Sequence, residues 1–227
     1  YLDNNGEAAI SPADINGGSS DNCGIASLSV TPAMLNCDTA FATATLTVTD
    51  SAGNASTCGA TALVLDTLPP VLTVPADTTI RCDEDSSPFN TGTATRTDNC
   101  DSSPIIDHSD IVTPGVCANE STITRTWTTV DAEGNADSAI QIITISDTTA
   151  PTAGCQFVAI QLDGATAVLT TGDVDAASMD ICGDVSLSLS KTTFTCADLG
   201  LNNVALTVTD ECGNTSSCTA DVAVEDT

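Results

Sequence analysis

Three stretches of this chain alternate apolar and polar side chains: ATATLTVTD (42–50), TITRTWTTVD (122–131) and NVALTVTD (203–210). Period two sends one set of side chains to a buried face and the other to solvent, which predicts half-buried β-strands. Each stretch runs into Asp-x-x-Gly-Asn and then into a second alternating run: TALVLD, AIQIITISD and TADVAVED. Strand, polar turn and strand predict a β-hairpin, with glycine relieving the positive φ and Asp accepting backbone N–H bonds across the turn. No stretch sustains a helical period.

The hairpin recurs at a near-constant interval. Its aspartates, Asp50, Asp131 and Asp210, lie 81 and 79 residues apart. A repeat of that length exceeds a solenoid unit and suits a small domain with its own core. Each repeat ends in Asp-Thr, as VLDTLPP (64–70), ISDTTAP (145–151) and VEDT (224–227), and the prolines that follow stiffen the connection. Boundaries near 66 and 147 divide the chain into modules 1–65, 66–146 and 147–227. Several short strands per module predict an all-β chain of tandem immunoglobulin-like β-sandwich domains arranged as an extended rod, each ending in the hairpin. Residues 2–24 run parallel to 162–183, yet residues 148–161 have only Tyr1 as counterpart in the first module. The first module therefore lacks its opening strand. We expect a piece of a longer secreted product; the alternative is a filament subunit completed by a strand from a neighbouring chain.

Composition narrows the function. Four Lys and Arg against 31 Asp and Glu give a net charge of −27. Nucleic acid and anionic membranes demand the opposite sign, and no apolar run is long enough to insert in a bilayer. Eleven cysteines point to an oxidising compartment, hence to a secreted, extracellular or cell-surface protein. The recurrent spacing suggests disulfides Cys23–Cys37, Cys100–Cys117 and Cys182–Cys196 within modules, and Cys155–Cys218 as a clip from first strand to last. Cys58, the counterpart of Cys218, is left without a partner in this chain, as are Cys82 and Cys212. Thiolate zinc sites lack any CxxC pair.

The segments DTTAPTAGCQ, LDNNGEAAISPADINGGSSDNCGIASLSV, LTVTDSAGNASTC and RTDNCDSSP…NESTITRTWTTVDAEGN resemble the HYR-like, immunoglobulin-like repeats of very large bacterial surface proteins of the adhesin type. The resemblance covers the whole chain. It implies a stalk or fibre segment that projects or mediates adhesion. It also implies cysteines where this chain has Val74, Glu133 and Ala139, so the middle module is expected to lack the clip and to leave Cys82 unpaired.

Calcium is the candidate ion. In an immunoglobulin-like module the loop after the second strand and the final hairpin turn share one end with the incoming linker. Asp66, Asp98, Asp101, Asp131, Glu133 and Asn135 would converge at one junction, and Asp147, Asp180, Asp210, Glu211 and Asn214 at the next. Carboxylate and amide oxygens are the hard ligands that calcium takes. The plainer alternative is that Asp-x-x-Gly-Asn recurs only as turn geometry. Neighbouring copies or repeats are the expected partners, with a surface glycan or protein as the competing class. No enzyme is expected: Asp107, His108 and Ser109 adjoin on one strand, where successive side chains face opposite ways. Lys191, the only lysine, precludes Lys–Asn crosslinks in the first two modules. Trp127, Phe41, Phe157 and Phe194 are expected in the core.

Overall fold

A computed structural model describes residues 1–38, 40–117 and 119–226. Strands make up 51% of the chain, and the helical segments are single turns of three or four residues, so the fold is all-β. The first repeat forms β1 (Glu7–Ala9), β2 (Ile25–Thr31), β3 (Met34–Asn36), β4 (Phe41–Asp50) and β5 (Ala55–Leu63). The second forms β6 (Val71–Thr73), β7 (Thr78–Arg81), β8 (Thr95–Thr97), β9 (Ile105–Pro114), β10 (Ser121–Val130) and β11 (Ala136–Ser146). The third forms β12 (Val158–Gln161), β13 (Thr166–Val168), β14 (Val185–Leu189), β15 (Thr193–Thr195), β16 (Gly200–Asp210) and β17 (Thr215–Glu225).

Contacts divide the chain into two compact units. One comprises Tyr1–Val74, Thr93–Ser109 and Thr126–Ile140; the other comprises Pro75–Gly92, Asp110–Arg125 and Gln141–Thr227. In the second unit a sheet ordered β12-β17-β16-β14 faces the antiparallel pair β13-β15. Alternation explains the layer between them. Val204, Leu206 and Val208 of β16 and Ala220, Val222 and Val224 of β17 point inward and pack with Ala167 of β13 and Phe194 of β15. Phe194 is fully buried and is the largest side chain of that layer. The opening strand β12 adds to the last strand in parallel, Val158 opposite Val222 through Gln161 opposite Glu225. In the second repeat β7 pairs with β11 the same way, Thr78 opposite Ile143.

In the first unit the corresponding sheet is β2-β4-β5, and among the described residues nothing pairs with the outer edge of β5. The β4–β5 register, Leu46 opposite Cys58, matches that of β16–β17, Leu206 opposite Cys218. Trp127 is buried, and His108 lies over it with ring centroids 5.1 Å apart. Phe41 and Phe157 are exposed rather than in the core. Phe41 shares the parity of Thr43, on the outward face of β4.

Three of the expected disulfides are corrected. Cys37 bonds Cys100, Cys82 bonds Cys182 and Cys117 bonds Cys212, with Cα–Cα distances of 5.4, 5.7 and 5.1 Å. The pairings Cys23–Cys37, Cys100–Cys117 and Cys182–Cys196 do not form, and Cys82 and Cys212 are not free. The reason is what each expected loop contains. The ten residues of β9, at about 3.3 Å each, separate Cys100 from Cys117 by roughly 33 Å, whereas a disulfide tolerates at most about 7 Å between Cα atoms; in the other two loops the chain runs out along β2 or β14 and then crosses to a different sheet as β3 or β15, which carries the flanking cysteines apart. All three bonds join a residue of one sequence repeat to a residue of the next. Cys155 and Cys218 are bonded across β12 and β17, at 5.9 Å between Cα atoms. The free cysteines are Cys23, Cys58 and Cys196, all exposed.

Candidate cation sites at the hairpin turns

The Asp-x-x-Gly-Asn turn is built the same way three times. The Asp amide donates to the Asn carbonyl, 2.9 Å for Asp50 to Asn54, 3.0 Å for Asp131 to Asn135 and 3.1 Å for Asp210 to Asn214. Gly53, Gly134 and Gly213 have φ of 92°, 92° and 89°, a conformation that a Cβ disfavours. The Asn amide N–H donates back to Asp Oδ1 at 2.8, 2.7 and 2.8 Å. Geometry alone therefore explains why Asp, Gly and Asn recur.

The last two turns do more. Asn135 Nδ2 donates to the Asp66 carbonyl and Asn214 Nδ2 to the Asp147 carbonyl, both at 3.3 Å. Each turn thus grips the Asp-Thr linker that precedes its repeat. Beside each grip lies a carboxylate triad. Oxygens of Asp66, Asp98 and Asp131 all lie within 4.8 Å of one another, and so do those of Asp147, Asp180 and Asp210. Asp66, Asp131, Asp147 and Asp210 are buried.

In the first triad the Oδ1 atoms are committed to the backbone. Asp66 Oδ1 accepts from Leu68 N at 3.2 Å, and Asp98 Oδ1 from Cys100 N and Asp101 N at 2.9 and 2.6 Å. Asp131 Oδ2 accepts from Asn135 Nδ2 at 2.7 Å, whereas Asp66 Oδ2, Asp98 Oδ2 and the adjacent Asn99 Oδ1 are buried with no hydrogen-bond partner. Two unit negative charges 4.8 Å apart repel by about 3 kcal/mol at an effective dielectric of about 20. No basic side chain offsets this. Arg81 bonds Asp83, Arg96 bonds the Pro104 carbonyl, Arg125 bonds Asp110 and Lys191 bonds Asp198. The chain thus brings hard oxygen donors together, several of them unsatisfied, with no protein cation to balance them.

The structure leaves some candidates aside. Asp101 caps its own loop, accepting from Ser103 N at 2.8 Å, and Glu133 and Glu211 are exposed turn residues outside the triads. Asn99 is the residue that sequence reading missed. It sits between Asp98 and Cys100 and donates to Asp66 Oδ1 at 3.3 Å; the DNCD motif was its only signal. The groups Cys82–Asp147–Cys182 and Cys117–Glu120–Cys212 also bring ligand-type atoms together, but their sulfurs are disulfide sulfurs, without the thiolate a metal takes.

Burial works to raise the Asp210 carboxyl, but hydrogen bonds from the Asn214 side chain and backbone outweigh it and leave the group below its ordinary 3.8. Asp50 is lowered by the Asn54 side chain and then by the Asn54 backbone. Asp14 and Asp173 are lowered by hydroxyls of Ser11 and Thr170 in the capping boxes of two helical turns. Groups depressed on folding stabilise the fold above their unfolded value and lose that contribution as pH falls through the folded value. Without divalent ions, stability is expected to be flat from neutrality towards pH 5 and to fall as pH drops through 3.8 and below. An acid titration followed by circular dichroism checks this; a midpoint denaturant concentration unchanged down to pH 2 would contradict it.

No protein-family model matches the chain, and no curated protein matches it. Solved structures similar to it include protocadherin gamma B2 extracellular cadherin domains 1–5 (TM-score 0.35, 14% identity, 84% of this chain and 47% of that one). The human desmocollin-1 ectodomain follows at TM-score 0.30 and 11% identity, over 84% of this chain and 48% of that one. Mouse PcdhgC3 EC1-3 gives TM-score 0.31 and 13% identity, over 82% and 77%. The chain spans about half the length of the first two. At such TM-scores these structures do not define its family. Its own structure defines the class: an all-β chain with four disulfides, of the kind that folds in an oxidising compartment.

Proposed function

We propose that this chain is a structural segment of an extracellular stalk or fibre: three immunoglobulin-like modules in an extended rod, from a surface protein of the HYR-like kind, in which calcium fixes each module to its linker. The observation that carries this reading is the first triad, where buried Asp66 and half-buried Asp98 each hold a buried oxygen without a partner. Asp66 comes from the linker, Asp98 from a loop and Asp131 from the hairpin turn, so one ion would join three segments. Asp147, Asp180 and Asp210 repeat that origin. Asn135 and Asn214 hold the linker carbonyls and set the distance between linker and turn. When bound, calcium supplies positive charge to carboxylates that otherwise repel. Disulfides from repeat to repeat then resist pulling, as a projecting or adhesive stalk requires.

Solution scattering tests the mechanical role. A rod stiffened by calcium keeps one maximum dimension in millimolar calcium and shows a broader, more flexible distance distribution in chelator. Identical profiles in both conditions would contradict it.

A further inference from the structure

The two triads are alike in their carboxylates and unlike in what lies beside them. Asp147 Oδ1 accepts from Thr149 N at 3.0 Å as Asp66 Oδ1 does from Leu68 N, and Asp180 Oδ1 accepts from Cys182 N at 2.6 Å as Asp98 Oδ1 does from Cys100 N. Asp210 Oδ2 accepts from Asn214 Nδ2 at 2.9 Å as Asp131 Oδ2 does from Asn135 Nδ2. These shared bonds align the loop DNCD (98–101) with DICG (180–183), so Asn99 and Ile181 hold the same position. Asn99 brings an amide to the first triad. Ile181 brings a hydrocarbon side chain that is 66% exposed.

The Asn99 amide is fixed end for end. Its Nδ2 donates to the Asp3 carbonyl at 3.1 Å and to Asp66 Oδ1 at 3.3 Å. A carbonyl and a carboxylate can only accept, so nitrogen rather than oxygen must face them. Asp3 is itself held in a turn, its Oδ1 accepting from Asn5 N and Glu7 N at 2.8 and 3.0 Å. Asn99 Oδ1 is left buried and without a partner, as are Oδ2 of Asp98 and Oδ2 of Asp66, a residue only 9% exposed. Among the described residues the second triad has no buried oxygen in that condition. An oxygen without a partner gives up no hydrogen bond when an ion arrives, and the ion removes the penalty of leaving that bond unmade.

We infer, on the reading of the triads as cation sites, that Asn99 Oδ1 is a further ligand of the first site, which therefore takes calcium more tightly than the second and fills first. Calcium accepts six to eight oxygens, and the ligand set and the rigidity of the site tune its affinity. The first site offers three carboxylates and an amide, with Asp66 braced by Asn99 Nδ2 as well as by its own linker backbone. The second has the carboxylates without the amide. As calcium rises from zero, the Asp66 linker is fixed to its turn before the Asp147 linker is.

Calorimetric titration of calcium into the full chain tests this with each site isolated. The Asp210→Asn chain keeps the first site and the Asp131→Asn chain keeps the second. The first is expected to bind tighter by about tenfold or more, the scale on which a ligand or its support acts. Adding Asn99→Ala to Asp210→Asn is expected to weaken binding by about the same factor, and Asn99→Asp, which restores an oxygen, to recover most of the loss. Should Asn99→Ala fail to fold, the comparison of the two single-site chains still decides. Equal affinities, a tighter second site, or an Asn99→Ala chain that binds as before would overturn the inference and leave the cation sites standing. No heat of binding in any chain would overturn both.

Discussion

Stripped of divalent ions, this chain is expected to melt roughly 5–10 °C lower for each vacated triad than in calcium at about 100 times its dissociation constant. The size follows from linkage, because an ion that binds only the folded state adds about 2.7 kcal/mol per site at that excess, and about 1 kcal/mol moves the midpoint of a chain this long by roughly 2–4 °C. The direction follows from the triads. Their carboxylates are forced together by turns and linkers that would form without any ion, so the apo state keeps the repulsion and the loaded state loses it. Asp98→Asn removes one charge and one unsatisfied oxygen while leaving an amide of similar shape. In calcium it is expected to lower the midpoint; in chelator it is expected to raise it or leave it unchanged. A merely structural aspartate would show the same loss in both buffers. Differential scanning calorimetry in both conditions distinguishes the two.

The second large effect concerns Arg125. This side chain is 1% exposed within a strand whose other inward residues include Ile123 and Trp127. Its guanidinium makes a two-pronged pair with Asp110, Nε to Oδ1 at 2.8 Å and NH2 to Oδ2 at 2.7 Å, and donates to Thr91 Oγ1 and the Ser86 carbonyl, both at 2.8 Å. Gln141, fully buried, continues the network by donating to the carbonyls of Ala76 and Thr91 at 3.2 and 2.8 Å. Arg125 is buried while Asp110 is exposed, so removing Asp110 would leave a buried guanidinium without its counter-ion, at a cost of about 3–5 kcal/mol. Asp110→Ala is therefore expected to lower unfolding free energy by that amount in urea. Arg125→Met with Asp110→Leu removes both charges together and is expected to recover most of the loss. Equal destabilisation by the single and double variants would contradict this account.

Arg125 also shows how much of the fold was legible. Alternation in TITRTWTTVD marks the strand correctly, and Arg125 has the parity of Ile123 and Trp127, so its inward position was written in the period. Charge argued the other way, and only the network resolves the conflict. The hairpins and their glycine turns were likewise readable, because each rests on local pattern and recurs from one repeat to the next. Cysteine pairing was not. Spacing suggested loops of 14 to 17 residues, but the strands inside each loop carry its ends apart, and the bonds run between repeats where local reading has no purchase. The candidate cation residues fall between these cases. Asp66, Asp98 and Asp131 converge because linker, loop and turn do, which topology dictates. The exclusion of Glu133 and Glu211 depends on which way turn side chains point. Asn99 is set apart by a single unpartnered oxygen, which no sequence pattern announces.

Calorimetric titration of calcium into the metal-free chain tests the central claim most directly. Two sites are predicted, one for each triad, with Asp131→Asn removing one and Asp210→Asn the other. No heat of binding, or an isotherm that neither substitution alters, would contradict it.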